Sequence, residues 1–254
     1  MSALLEVTDL TVRFGGVTAV DDLSFAVTEG ALLGLIGPNG AGKTTAMRAI
    51  TGVVTPRQGR VRLAGHDLGG LPTHRRVRLG LGLSQQLVRP FHAMTAVDNV
   101  ALAAGYARTR APLAALFSTG RARERRRALE LLELVGIAEV AETLPANLPL
   151  GHLKRLEVAR ALALDPRLLL LDEPLAGLNQ GEATRLADTV VALNRGGLTV
   201  ILIEHNLGEV LRICSRLVVL DNGRKLGEGV PRVVMARPEI RAAYLGRGAS
   251  DAAA

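Results

Sequence analysis

At 254 residues, 48% of them hydrophobic, the chain has enough apolar material for one large domain, or for a core carrying a smaller inserted lobe. An aromatic content of 2% with no Trp argues against a surface that stacks bases on rings, and a single cysteine rules out a disulfide framework. The formal charge of +7 is concentrated in RARERRR at 121–127, which reads as a solvated helix face, so no nucleic-acid partner is expected.

The first elements alternate apolar and polar residues. Leu5, Val7, Leu10 and Val12, then Leu23, Phe25 and Val27, predict half-buried strands with turns at Gly15-Gly16 and Glu29-Gly30. The apolar run ALLGLI at 31–36 leads directly into GPNGAGKTT at 37–45, and a helix is expected from Lys43 to about Thr51, stopped by Gly52. A short strand follows around Val61 and Leu63.

The middle of the chain, 87–163, is mostly helical in pattern. Ala128, Leu131, Leu132 and Val135 mark one helix face before a stop at Gly136. RLLLLDEP at 167–174 and LTVILIEHN at 198–206 then contain apolar runs without alternation, as expected of strands buried on both faces of a parallel sheet. Ala183, Leu186, Ala187 and Val190 line a crossover helix between them, LVVL at 217–220 gives another strand, and 247–254 reads as a disordered tail. Lone Cys214 reads as core filler. No apolar run approaches the roughly 18 residues of a spanning helix. The N-terminus lacks the features of a signal peptide, so a cytosolic chain is expected.

Three strand ends carry the chemistry. The segment 37–45 fits a phosphate-binding loop, comprising Gly37, Pro38, Asn39, Gly40, Ala41, Gly42, Lys43, Thr44 and Thr45. Its glycines let backbone N–H groups approach phosphate oxygens, Lys43 would sit on the β- and γ-phosphates, and the Thr44 hydroxyl on Mg²⁺. Asp172, at the carboxyl end of its strand, can hold the same metal. Glu173 beside it is free to orient or deprotonate a water, making hydrolysis of a nucleoside triphosphate the leading chemistry. His205 ends the run VILIEH and can bond the γ-phosphate or position the water.

These motifs, in this order with a helical insertion, resemble the ATPase subunit of an ABC transporter. The resemblance runs from about Leu5 to Gly246. It implies an α/β fold: a P-loop NTPase core (1–86 and 164–246) with an N-terminal antiparallel β subdomain and an inserted all-helical lobe (87–163). It also implies ATP and Mg²⁺ as cofactors, Phe14 stacking on adenine, and Gln86, rather than its neighbour Gln85, joining the catalytic and metal site to the helical lobe. Ala176, Gly177, Leu178 and Asn179 occupy the loop that crosses the dimer interface. Leu148, Pro149, Leu150, Gly151 and His152 stand where members carry LSGGQ, the segment that faces the partner's ATP.

Several residues depart from that pattern. Pro149 offers neither the hydroxyl nor the N–H of the usual serine, His152 replaces glutamine, and Asn179 replaces aspartate. Gly151 is kept, leaving close backbone approach to a phosphate open. An asymmetric heterodimer is favoured by this imbalance, with a homodimer as the alternative. DEPLAGLN, LIEHN, FSTGRARERRR and AYLG are similar to branched-chain amino acid importer ATPases, a group in which proline or alanine at the serine position is tolerated. That implies two permease subunits, a second ATPase chain, an indirectly coupled solute-binding protein, and a place on the cytoplasmic face of the inner membrane. The alternatives are a lipopolysaccharide-type exporter ATPase, a non-transport ABC protein acting on nucleic acid, and a P-loop kinase, for which no acceptor site is evident.

Overall fold

The structure is a computed structural model that describes residues 3–84, 89–107 and 121–248. Strands β1 (Ala3–Phe14) and β2 (Val17–Thr28) form a long antiparallel hairpin, and β4 (Gln58–Leu63) and β5 (His66–Asp67) extend it in the order β2-β1-β4-β5. The larger sheet contains β3 (Leu32–Ile36), β6 (Leu81–Ser84), β7 (Leu168–Asp172), β8 (Thr199–Ile203), β9 (Arg216–Asp221) and β10 (Arg224–Gly229). Its order is β10-β9-β3-β8-β7-β6, parallel except for the edge strand β10.

The apolar runs of β7 and β8 are buried on both faces, each face facing a different core. Leu168, Leu170, Ile201 and Ile203 point into a cluster shared with the antiparallel sheet and with α1 (Lys43–Thr51). Leu169, Leu171, Val200 and Leu202 point into a second cluster on the opposite face. Alternation is absent from these sequences because neither face meets water.

That second cluster is continuous with the helical lobe. Helices α3 (Ala96–Ala104), α4 (Ala122–Leu134) and α5 (Leu150–Leu162) contribute to it, as does the crossover helix α6 (Gln180–Arg195). The buried stripe Ala128, Leu131, Leu132 holds α4 down, while most of its arginines stay at the surface; Arg125 pairs with Asp98 and Glu142. This confirms the solvated-face reading of the basic run.

Helix α1 ends at Gly52, whose φ of 79° is in the left-handed region that glycine favours. Its last carbonyls have a partner that the sequence did not suggest. Arg76, buried on α2 (Thr73–Arg78), donates to the carbonyls of Ala49 and Ile50 at 2.8 and 2.7 Å, and its Nε donates to Leu71 O at 2.8 Å. A guanidinium therefore caps the C-terminal end of the helix that follows the phosphate loop, where a cation also complements the helix dipole.

The chain closes with α7 (Leu207–Ile213), α8 (Pro231–Met235) and α9 (Pro238–Gly248). Helix α9 extends through Arg247 and Gly248, two residues into the segment 247–254 expected to be a disordered tail; the rest of that segment lies outside the described residues. Among the described residues no helix is long and apolar enough to cross a membrane.

Candidate functional site

Strands β3, β7 and β8 are neighbours in the parallel sheet, so their carboxyl ends open on one edge, where open α/β sheets bind ligands. There Asn39, Gly40, Ala41, Gly42, Lys43, Thr44 and Thr45 line a cleft of about 200 Å³ together with Glu173 and His205. Ala19, from β2, closes its side. The cleft thus unites residues spread over most of the chain.

The loop's geometry explains its glycines. Gly42 has φ 99°, and a Cβ there would lie 2.5 Å from Ala19 O; a Cβ on Gly37 would lie 2.2 Å from Leu220 O. Any side chain at either position would force backbone apart. Lys43 is buried, and its Nζ donates to the carbonyls of Gly37 at 2.7 Å and Pro38 at 3.0 Å. Burial pushes its ammonium below the ordinary value, while the charges of Glu173 and Asp172 oppose that shift. The lysine is folded back over its own loop.

Asp172 is buried, and its Oδ1 has no hydrogen-bond partner among the described residues. Burial, then the charge of Glu173, push this carboxyl above the usual range; Arg48, Lys43 and Lys154 oppose the shift. A buried, unmatched carboxylate oxygen beside the phosphate loop fits a hard cation with oxygen ligands. Thr44, which lines the cleft, can supply a hydroxyl.

Glu173 has φ 51°, a conformation disfavoured for a residue with a side chain and characteristic of functional sites. Its Oε1 lies 2.6 Å from His205 Nε2. Two residues expected to act on the same water are thus in direct contact. Sequence reasoning missed the support around them. Glu204, 3% exposed, accepts a hydrogen bond from Leu175 N at 2.6 Å, and Lys154, on α5, donates to Glu173 O at 3.1 Å. A charged residue ending the otherwise apolar run VILIE was the available signal for Glu204.

Among the described residues, Phe14 and the segments 148–152 and 176–179 do not line the cleft. Phe14 stands at the end of β1, half exposed and available to a flat partner. Gln86 falls outside the described residues. Pro149 is the N-cap of α5, with its carbonyl accepting from His152 N and Leu153 N; Leu148 is buried and Leu150 exposed. His152 Nε2 lies 3.2 Å from Glu139 Oε1, so its ring is engaged within its own lobe.

Gly151 and Gly177 both face neighbours inside this chain. A Cβ on Gly151 would lie 3.0 Å from Glu182 Oε1, and one on Gly177 would lie 2.9 Å from Leu150 Cδ2. The segment 148–152 and the loop 176–179 therefore pack together within one subunit. Asn179 is not an idle replacement either. It caps α6 through a reciprocal capping box with Glu182, its Oδ1 accepting from Glu182 N at 2.9 Å.

Comparison with known proteins is consistent with this geometry. The family model described as "ABC transporter" matches residues 20–176. The chain is 40% identical to the high-affinity branched-chain amino acid transport ATP-binding protein BraF of Pseudomonas aeruginosa, over 96% of this chain and 98% of that protein. It is 36% identical to the lipopolysaccharide export system ATP-binding protein LptB of Acidithiobacillus ferridurans, over 97% and 98%. The crystal structure of the ADP conformation of MJ1267, an ATP-binding cassette of an ABC transporter, superposes with a TM-score of 0.84 at 27% identity, covering 97% of this chain and all of that one.

Proposed function

The chain belongs to the ABC transporter family of nucleotide-binding ATPases, and from that premise we propose that it is the ATP-hydrolysing motor of an importer for branched-chain amino acids or related small polar solutes. One observation carries the chemistry: Lys43, Glu173 and His205 converge on a single cleft with Asp172 buried beside it. Import is supported by the likeness to BraF over nearly the full length of both chains.

On nucleotide entry, the loop amides and Lys43 take the phosphate oxygens, and Lys43 exchanges its bonds to the Gly37 and Pro38 carbonyls for them. Phe14 offers its exposed ring to the adenine. Glu173 accepts the proton of the attacking water, and His205, bonded to it, fixes its orientation. Asp172 and Thr44 would hold Mg²⁺, whose charge offsets that of the phosphates.

The partners in this reading are two permeases, a second ATPase chain and, through the permeases, a solute-binding protein. The chain sits on the cytoplasmic face of the inner membrane, held there by the permeases. Gln86 links the site to the helical lobe. Leu148, Pro149, Leu150, Gly151 and His152 face the partner's nucleotide, and Ala176 through Asn179 cross the interface. Because Pro149 lacks donors and His152 is engaged by Glu139, the site this chain completes for its partner is the weaker one. The dimer is therefore asymmetric.

Affinity capture of the tagged chain from detergent-solubilised native membranes, with mass spectrometry, tests this. The expected result is two multi-spanning permeases and a second, different ATPase. The likeness to LptB supports lipopolysaccharide export as a second reading, and recovery of exporter components would replace import with it. Only ribosomal or soluble partners would overturn transport.

A further inference from the structure

Two opposite charges are buried beside the catalytic segment, and neither is one of the expected motif residues. Lys154 is 5% exposed and Glu204 3% exposed. Burying charges is unfavourable unless hydrogen bonds and a counter-charge compensate. Here the compensation is directed at the backbone around Glu173. Lys154 Nζ donates to Glu173 O at 3.1 Å. Glu204 Oε1 accepts from Leu175 N at 2.6 Å, and its Oε2 accepts from His205 N at 3.2 Å. Ile203 O accepts from Glu173 N at 2.9 Å, so the peptide groups on both sides of Glu173 are tied.

This matters because Glu173 is in the left-handed region, at φ 51°. A glutamate leaves that conformation unless its surroundings over-determine it. The charges also attract one another. Burial lowers the ammonium of Lys154, and the carboxylate of Glu204 is the foremost of the charges opposing that fall.

We infer that Lys154 and Glu204 are positioning residues that hold the Glu173–Leu175 backbone and with it the Glu173–His205 pair, tying helix α5 to the main chain of the hydrolytic residue in the same subunit. The inference rests on the reading of Glu173 as the general base. Since Lys154 lies on the helix that begins at Leu150, directly after Leu148 and Pro149, a shift of that helix reaches Glu173 through one hydrogen bond.

The test is histidine-ring NMR of the full chain, whose 5 histidines make a tractable spectrum. The His205 signal is assigned by its loss in His205→Asn. Glu173→Gln sets the size of the change when the pair is altered. Lys154→Met and Glu204→Gln are expected to move the His205 signal at least half as far, and Lys154→Arg to return it most of the way. ATP turnover of the captured membrane complex should fall about tenfold in kcat for Lys154→Met, with KM for ATP within about twofold.

An unmoved His205 signal in folded Lys154→Met or Glu204→Gln overturns the inference. So does a loss of kcat and ATP affinity in proportion, without rescue by arginine. Should Lys154→Met not fold, Glu204→Gln decides by the same signal. Normal turnover by Glu173→Gln would instead remove the general-base reading and leave the NMR result to judge the positioning.

Discussion

His205 Nε2 lies 2.6 Å from Glu173 Oε1, bridging the ends of neighbouring strands β8 and β7. The contact joins two residues that are 32 positions apart in sequence and places them beside Lys43 in one cleft. Because they touch, the contributions expected of them to turnover should be coupled.

Glu173→Gln is expected to lower kcat by about 10² to 10⁴ while nucleotide affinity holds. His205→Ala should cost about 10² to 10³. The double variant should lose much less than the product of the two, as contacting residues acting as a unit do. Steady-state kinetics on all three variants, with nucleotide affinity measured by fluorescence titration, checks this; strict multiplication would mean the residues act separately.

The phosphate loop predicts unequal glycines. A Cβ on Gly40 meets nothing within 4 Å, whereas one on Gly42 lies 2.5 Å from a backbone oxygen. Gly40→Ala should cost only the strain of its φ, about 1–2 kcal/mol. Gly42→Ala should exceed that by a further ~1–3 kcal/mol, since Ala19 and α1 must move apart. Urea denaturation of the two variants gives the comparison directly.

Asn179 should prove to be a stabilising cap in its own subunit. Asn179→Ala removes the reciprocal bonds with Glu182 and is expected to cost about 1 kcal/mol, whereas Asn179→Asp keeps the acceptor and stays close to the parent. Thermal unfolding separates the two. Equal loss in both variants would mean that the capping box contributes nothing.

Cys214 gives a signed pH dependence. Burial, then the charge of Glu204, push its thiol from 9.0 to about 12. The folded state therefore holds the proton more tightly than the unfolded state. The resulting stability is fully present below pH 9 and is lost as pH rises from 9 towards 12. Stability of the parent should fall more steeply over that window than stability of Cys214→Ala. Thiol reagents at pH 8 should label the parent only after it unfolds.

Much of the architecture was legible because it rests on local patterns. Unbroken apolar runs announced β7 and β8, alternation announced the hairpin, and glycine stops ended α1 and α4 near the expected residues. The placement of the phosphate loop, Asp172, Glu173 and His205 at strand ends was legible because each stands at the end of such a run. Gln86, by contrast, was named from resemblance and lies outside the described residues.

The sequence by itself determined which residue types stand at which strand ends, since periodicity and loop chemistry act over a few neighbouring positions. Only the tertiary structure decided what those residues meet. It brought Arg76 onto the end of α1, His152 onto Glu139, and Leu150 against Gly177. It also placed Lys154 and Glu204 around the backbone of Glu173. Contacts of this kind join positions 13 to 29 residues apart in these examples. No local period encodes them, because their strength depends on burial and distance, which exist only once the sheet and the helical lobe have packed.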